Sequence, residues 1–168
     1  GEEIQITGIL KPGETYLLAE VLPASGYAWA EEIPFAVGGG GGIHRVRMED
    51  RPTQAEIRKT DMVTGEELPG EVLVLKDKNG HVVDRWTSGN TPHRIMGRLN
   101  AGEAYTLSEV TAPSGYQIAE EVTFTVSKDG TIDRVVMADK RKEPEKPEKP
   151  GKPEKPERPV PDDDRETE

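Results

Sequence analysis

Apolar and polar residues alternate in short runs along residues 54–141, and turn residues separate the runs. Val, Ile, Thr and Tyr fill these runs, as is typical of β-strands, and no ten-residue stretch has the spacing of an amphipathic helix. Because turn signals recur about every 8–12 residues, the pattern predicts an all-β fold built as a β-sandwich.

Four glycine-containing segments mark predicted turns. Asn79-Gly80 lies between two apolar runs and predicts a hairpin with a two-residue turn, and Asp129-Gly130 predicts a second hairpin. Ala101-Gly102 predicts a turn before the run AYTL. We interpret Gly38–Gly42 as a hairpin tip, because this run lacks the strand-to-helix context of a phosphate-binding loop.

The chain repeats itself at an offset of 89 residues, without a gap from residue 8 to residue 50. The matched pairs include Gly8 with Gly97, Tyr16 with Tyr105, Glu20 with Glu109 and Asp50 with Asp139. A period of this length is that of a domain rather than of a solenoid repeat. We therefore expect 1–52 to be the C-terminal half of a truncated repeat, with open sheet edges, and 54–141 to be a complete repeat.

Each of three predicted strands carries one ionisable side chain on its core-facing side. Side chains alternate between the two faces of a strand. This alternation groups Lys59 with Ile57, Glu109 with Leu107, and Asp139 with Met137. Buried charges are costly unless they pair or become neutral. Alternation alone leaves two simpler interpretations open, exposed strand ends and an ordinary salt bridge, because one bulge reverses the parity.

Three motifs, in this order, resemble the collagen-adhesin B-type (CnaB) repeats and SpaA-like pilin domains of Gram-positive surface proteins. The segment RKTDMVTGEELPG (58–70) is similar to the opening strand of the family. YTLSEVTAPSGY (105–116) is similar to its glutamate-containing box, and VVMADKRK (135–142) to its closing strand. The resemblance covers 56–141 and, as half a domain, 1–52. It implies a transthyretin-like or prealbumin-like (Ig-like) β-sandwich.

The resemblance also implies a covalent bond inside the domain. In this family the Lys of the opening strand and an Asn or Asp of the closing strand join in a spontaneous isopeptide bond, helped by the Glu. The matching positions are Lys59, Asp139 and Glu109, and the Asp implies water as the leaving group. Burial favours a neutral amine and a neutral carboxyl, and the glutamate then carries the proton to the departing hydroxyl. Such a reaction is a single turnover on the protein itself, so no enzyme is predicted.

The first copy is not expected to form this bond. Glu20 and Asp50 are its degenerate equivalents of the glutamate and the aspartate. Its only lysine, Lys11, aligns with Asn100 and therefore does not correspond to Lys59.

Proline recurs at every third position from Pro144 to Pro159, with Lys, Glu, one Arg and one Gly between. This spacing matches the three residues per turn of polyproline II, and the composition cannot form a packed core. We interpret 142–168 as a disordered Pro/Lys/Glu-rich linker; a PxxP ligand for a signalling domain is the alternative. Such tracts resemble the wall-spanning regions of sortase-anchored proteins. We expect the anchor and the signal peptide to lie outside this sequence.

Composition narrows the classes of function. The net charge of −10, without a clustered basic face, argues against nucleic acid or an anionic membrane as partner. No run of 18 apolar residues is present to insert into a membrane, and the absence of Cys excludes a disulfide or a cysteine nucleophile. The three His residues have no metal-ligand spacing, so we expect no metal and no cofactor.

These observations predict a structural stalk module of an extracellular, cell-wall-associated adhesin or pilin-like protein. Its predicted partners are neighbouring repeats of the same protein. One alternative is a ligand-binding adhesin domain that grips a host matrix protein or a glycan, which a contiguous exposed apolar patch would favour. The aromatic content of 5% argues against that alternative. An accessory domain of a secreted enzyme is the other alternative.

Overall fold

The computed structural model describes residues 3–144, which form nine strands joined by loops and turns. The strands are β1 (Thr15–Leu18), β2 (Ile33–Ala36), β3 (Gln54–Asp61), β4 (Val72–Lys76), β5 (Val82–Thr87), β6 (His93–Met96), β7 (Ala104–Glu109), β8 (Val122–Thr125) and β9 (Ile132–Asp139). No helix occurs in this range, so the predicted all-β class is confirmed. Of the predicted linker, 142–168, residues 145–168 lie outside the described residues.

Strands β3 to β9 form two sheets. The three-stranded sheet has the order β6-β3-β9, and the four-stranded sheet has the order β5-β4-β7-β8. All pairs are antiparallel except β3 and β9, which pair in parallel over eight positions from Gln54 opposite Ile132 to Asp61 opposite Asp139. The opening and closing strands of residues 54–141 are therefore direct neighbours.

The core lies between the two sheets and follows the alternation of side chains along each strand. Every second residue of β7 is buried, and the buried positions of β3 and β9 follow the same rule through most of their length. The buried apolar cluster comprises Ala55, Ile57, Leu73, Leu75, Ile95, Leu99, Tyr105, Leu107, Val126, Val135 and Met137. Full burial of one such large side chain contributes roughly 1.5–3 kcal/mol. The predicted β-sandwich is confirmed.

The hairpin predicted at Asn79-Gly80 is present, but its connection is longer than two residues. β4 ends at Lys76 and β5 begins at Val82, with a register shift next to Lys76. The Asp77 side chain accepts hydrogen bonds from the backbone N–H groups of Asn79 (2.8 Å) and His81 (2.9 Å). This side-chain capping stabilises the wider loop, and Gly80 supplies the positive φ of 83° that the loop needs.

The hairpin predicted at Asp129-Gly130 is wrong. β8 and β9 belong to different sheets, so the segment between them crosses from one sheet to the other. The Asp133 carboxylate accepts a hydrogen bond from the Ser127 backbone N–H (2.8 Å) and fixes this corner. β9 pairs with β3 instead of β8, which the turn residues alone do not reveal. The turn predicted at Ala101-Gly102 is present, with a φ of 77° at the glycine.

Residues of the first copy form only a small antiparallel pair, β1 with β2. Residues 43–50, which align with β9, are not a strand. Within residues 3–52 no segment equivalent to β3 lies beside them to complete a sheet. Large apolar side chains are exposed here, including Ile4, Ile6, Ile9, Leu17, Val21, Leu22 and Ile43.

The first copy packs directly on the sandwich through the loop around Gly26. The backbone N–H of Thr53 donates to the Gly26 carbonyl (2.9 Å), and that of Trp29 donates to the Lys128 carbonyl (2.9 Å). A Cβ atom added at Gly26, where φ is 82°, would lie 2.2 Å from the Gly97 carbonyl oxygen. Only glycine permits this close approach of two backbones.

Candidate functional site

The structure brings together Lys59, Glu109 and Asp139, one from each of three strands. Lys59 lies on β3, Glu109 is the last residue of β7, and Asp139 is the last residue of β9. The Lys59 Nζ atom is 3.1 Å from Glu109 Oε1 and contacts Asp139 Oδ1 directly. Lys59 and Asp139 are 80 residues apart in sequence. The parallel pairing of β3 with β9 makes their contact possible.

The three side chains are buried in the sandwich core. Lys59 is 2% exposed, Asp139 is 0% exposed, and Glu109 is 9% exposed. The strand register places Lys59 opposite Met137 and Glu109 opposite Leu73, both members of the apolar cluster. Isolated charges in such surroundings would be strongly disfavoured, so the amine and the two acids must compensate one another or become neutral.

The carboxyl oxygens are only partly hydrogen-bonded. Glu109 Oε2 accepts a hydrogen bond from the Ala119 backbone N–H (2.7 Å), which fixes the direction of the side chain. Among the described residues, Glu109 Oε1 and Asp139 Oδ2 are buried without a hydrogen-bond partner. Glu109 Oε1 still lies within ion-pair distance of Lys59 Nζ, so electrostatic attraction replaces a well-aligned hydrogen bond there. Unpartnered buried oxygens are rare in folded proteins and mark this cluster as unusual.

Electrostatics in the cluster favour a neutral Asp139. Burial raises the pKa of the Asp139 carboxyl, and the negative charge of Glu109 raises it further. The hydrogen bond and the positive charge of Lys59 oppose this rise without cancelling it. A neutral carboxyl is the form that an amine can attack, since a carboxylate is a poor electrophile. The site therefore has the components of an amide-forming condensation: an amine, a neutral acid and a neighbouring base.

Sequence reasoning missed Glu71, a further buried acid that acts on this site. Glu71 is 4% exposed, and burial raises its pKa, with additional contributions from the charges of Glu109 and Asp139. Its backbone is held by Ser88, whose Oγ accepts a hydrogen bond from the Glu71 N–H (2.9 Å). Glu71 has the same strand parity as the buried Leu73, so the alternation rule used for the other three residues could have found it.

A cavity of about 190 Å³ lies beside Lys59 and opens toward solvent. Its lining includes Lys59, Trp86, Ser88 and His93. The Trp86 ring packs against the core and stacks on His93, with 4.2 Å between the ring centroids. His93 Nε2 is 3.0 Å from Asp84 Oδ2, which holds the histidine in place. Of the three clustered residues, the cavity borders only Lys59.

The first-copy equivalents, Glu20 and Asp50, are in different surroundings. Glu20 Oε2 accepts a hydrogen bond from the Ala30 backbone N–H (3.0 Å), as Glu109 does from Ala119 at the matching position. Glu20 is nevertheless only half-buried, and Asp50 is exposed. The structure does not place either residue in an enclosed cluster with a lysine.

Two other features bear on function. Within residues 3–144, no group of three or more His, Cys, Asp or Glu side chains is arranged to hold a metal ion. The same range contains no helix of the length and apolar character needed to span a membrane.

A domain family described as a prealbumin-like fold domain (SpaA) matches residues 53–141. The matched range contains all three clustered residues and both sheets of the sandwich. No curated protein matches the chain.

Several solved structures are similar to the chain. The TIE protein of Bacillus anthracis is 24% identical, with 76% of this chain and 25% of that chain covered and a TM-score of 0.50. The shaft pilin spaA of Lactobacillus rhamnosus GG is 15% identical, with 77% and 65% covered and a TM-score of 0.45. The major pilin subunit BcpA of Bacillus cereus is 24% identical, with 52% and 28% covered and a TM-score of 0.45. The chain thus spans about a quarter of the TIE protein and just under two thirds of the shaft pilin.

Proposed function

Because this chain belongs to the SpaA family of prealbumin-like fold domains, we propose that residues 54–141 are a structural stalk module of an extracellular, cell-wall-associated pilin or adhesin. Residues 1–52 are, in this proposal, the C-terminal half of a truncated repeat of the same kind, and 142–168 are a linker. The partners of the module are neighbouring repeats of the same protein. The direct packing of the Gly26 loop on the sandwich supports this arrangement.

The stalk function depends on a covalent bond between Lys59 and Asp139. The observation that supports this bond is the burial of one amine against one acid, with a second acid 3.1 Å from the amine. An ion pair this deeply buried stabilises a fold poorly, because desolvation offsets the attraction. Condensation to a neutral amide leaves no ionisable amine at Lys59 and no ionisable carboxyl at Asp139 in the core. The arrangement is therefore better suited to a reaction than to a permanent salt bridge.

In the proposed reaction the neutral Lys59 Nζ attacks Cγ of the protonated Asp139. Glu109, as carboxylate, accepts a proton from the attacking nitrogen and donates it to the departing hydroxyl. One C–N bond forms, one C–O bond breaks, and one water molecule leaves. Contact between the reacting groups in the folded chain replaces a bimolecular encounter, which contributes roughly 7–11 kcal/mol in well-oriented cases. The reaction occurs once per chain, so the domain modifies itself and has no external substrate.

The bond would stabilise the sandwich by restricting the unfolded chain. It closes a loop between residues 80 positions apart. By analogy with disulfides, a loop of this length contributes about 4–5 kcal/mol in the chain-entropy model. The chain contains no Cys, so no disulfide supplies such a constraint.

The position of the bond also determines how the module carries force. Tension applied at the two ends of residues 54–141 would enter β3 at its start and leave β9 at its end. The Lys59–Asp139 bond joins those strands, so the load passes from residues 54–59 directly to Asp139 and beyond. Residues 60–138 then carry no tension, and the sheets do not unzip.

Intact-mass measurement of the full chain tests the proposal. The wild type is expected to be lighter than its sequence mass by one water, whereas Lys59→Ala and Glu109→Ala should each have their full sequence mass. Lys78→Ala is the matched control, because Lys78 is an exposed lysine in an ion pair with Glu103. This variant should still lose one water. An uncondensed wild type would refute the crosslink.

A further inference from the structure

A second buried carboxylate, that of Asp61, lies at the end of β3 and accepts four hydrogen bonds. Asp61 is 2% exposed. Its Oδ1 atom accepts from the backbone N–H groups of Val63 (2.8 Å) and Thr64 (3.0 Å). Its Oδ2 atom accepts from the Tyr116 hydroxyl (2.6 Å) and from Arg141 Nε (2.8 Å). We call Asp61, Tyr116 and Arg141 the Asp61 clasp.

The Asp61 clasp takes one residue from each of the three segments that supply the cluster. Asp61 follows Lys59 by two positions on β3, and Arg141 follows Asp139 by two positions. Tyr116 lies in the loop that connects Glu109 to its hydrogen-bond donor Ala119. The Arg141 guanidinium also lies over the Tyr116 ring, 5.6 Å from its centroid. The clasp therefore connects the same three segments that supply the cluster, at positions two residues further along β3 and beyond β9.

The two contacts between β3 and β9 have the same sequence separation. Lys59 with Asp139 and Asp61 with Arg141 are both pairs of residues 80 positions apart. Both pairs therefore require the same register. A slip of two residues would keep the apolar side chains of β9 on the core face, so hydrophobic burial alone discriminates weakly against it. The slip would, however, break the Asp61–Arg141 pair and leave a buried carboxylate without its cation, which is strongly unfavourable.

We propose that the Asp61 clasp is the positioning element of the self-crosslinking reaction, because it selects the one β3–β9 register in which Lys59 meets Asp139. This inference rests on the proposed function. If β9 shifts by two residues in one direction, Met137 takes the place of Asp139, and in the other direction Arg141 does. In both cases Lys59 no longer contacts an acid on β9. The clasp residues do not touch the reacting atoms, so they act by holding the strands.

The electrostatics of the clasp agree with this role. The Tyr116 hydroxyl, the Thr64 N–H, Arg141 and the Val63 N–H together hold the pKa of Asp61 well below its usual range. The Asp61 carboxylate therefore stays charged at neutral pH. Its attraction between β3 and residue 141 is available before any covalent bond exists.

The test is the rate of water loss after synthesis. Full-length chain is made in a cell-free system with a short pulse of labelled amino acid, and its intact mass is followed with time. Tyr116→Phe and Arg141→Gln should slow condensation about tenfold or more, since small misplacements of reacting groups have effects of this size. Arg141→Lys should restore part of the rate, because it keeps a cation near Asp61.

Arg94→Gln is the matched control. Arg94 pairs with Glu56 of β3 (3.0 Å) but lies on β6, so its loss does not affect the β3–β9 register. Unfolding free energies are measured for all variants in a Glu109→Ala background, where no bond should form. Tyr116→Phe and Arg141→Gln should slow water loss more than Arg94→Gln does, even where the variants have the same unfolding free energy.

Peptide mapping of the condensed product supplies a second measurement. The small condensed fraction of the clasp variants should contain the Lys59–Asp139 bond alone. If clasp variants condense as fast as the wild type, or are slowed only in proportion to lost stability, the positioning role is refuted. A wild type that never loses water refutes the proposed function and this inference together, so the two failures are distinguishable.

Discussion

Residues 8–50 and residues 97–139 have the same pattern of sequence, but only the second segment lies in a complete sandwich. Glu20 and Glu109 each accept a hydrogen bond from the backbone ten residues later, so the local loop is the same in both copies. The strand that ends at Asp139 in the second copy is absent from the matching residues of the first. The repeated motif thus determines local geometry, and the neighbouring strands determine burial.

The comparison shows that the chemistry of the cluster is a property of the assembled sheets. Asp139 is 0% exposed because β3 lies beside β9, and its carboxyl pKa is raised by that burial. Asp50 has no such neighbour and is exposed. The clasp is also confined to the second copy, since Pro52 stands at the position that corresponds to Arg141. Seven substitutions at four sets of positions test this comparison, from the largest expected effect to the smallest.

The largest effect is expected from the two lysines. Lys59→Ala removes the amine of the proposed crosslink and leaves two acids in the core without a cation. We expect the free energy of unfolding to fall by about 4–5 kcal/mol, measured by guanidinium denaturation. Lys11→Ala, in the first copy, should change the stability by less than about 0.5 kcal/mol, because Lys11 is exposed. Equal effects at the two positions would contradict the assignment of the site.

The next largest effect is expected from a pair of leucines at matching positions of the two copies. Leu107 is 0% exposed, and the corresponding Leu18 is only half-buried. Leu107→Ala should lower the free energy of unfolding by about 3 kcal/mol, because it leaves a cavity between the sheets. Leu18→Ala should cost less than about 1 kcal/mol. Thermal unfolding of both variants measures the difference, and a large effect of Leu18→Ala would show that the first copy has a core of its own.

A smaller effect is expected from the paired tyrosines. Tyr116→Phe removes the 2.6 Å hydrogen bond to the Asp61 carboxylate, which should lower the free energy of unfolding at neutral pH by less than Leu107→Ala does. Tyr27→Phe should lower the free energy of unfolding only slightly. Tyr27 is 39% exposed, and the first copy lacks the Asp61 clasp. The Asp61 pKa is lowered by folding, so the clasp contributes fully above the ordinary Asp value of 3.8. Its contribution is lost only as the pH falls toward the lowered value, which acid titration of both variants would show.

The smallest effect is expected at Glu71, which has no counterpart in the first copy. Folding raises the pKa of Glu71, so its contribution to stability is greatest below the ordinary value of 4.5 and declines as the pH rises through the raised value. Glu71→Gln should therefore stabilise the domain slightly at neutral pH and have almost no effect near pH 4. Urea denaturation at several pH values measures this. The opposite sign would indicate that the Glu71 carboxylate is stabilised by Lys59.

The sequence predicted the sandwich and the core-facing positions of the cluster because a strand has a period of two residues. That period groups Lys59 with Ile57 and Asp139 with Met137 without any knowledge of the sheets. It does not reveal which strands are neighbours. For this reason the Asp129-Gly130 turn was wrongly predicted as a hairpin, although it connects two sheets.

Two buried acids were harder to predict for different reasons. Glu71 obeys the same alternation rule, but it precedes the strand and its partners lie on three other segments. Asp61 has the parity of Lys59, but its partners Tyr116 and Arg141 are 55 and 80 residues away in sequence. Such long-range partners depend on the parallel β3–β9 pairing, which local pattern does not encode.

The close approach at Gly26 has a consequence for larger assemblies. The Gly26 backbone lies against that of Gly97 with no room for a side chain, so the two copies are in direct backbone contact at this junction. In the proposed stalk, repeats joined by the same backbone contact would be held in a fixed orientation to one another. The reach of such a stalk would then increase in steps of one repeat, and a bulkier residue at Gly26 would force the two backbones apart.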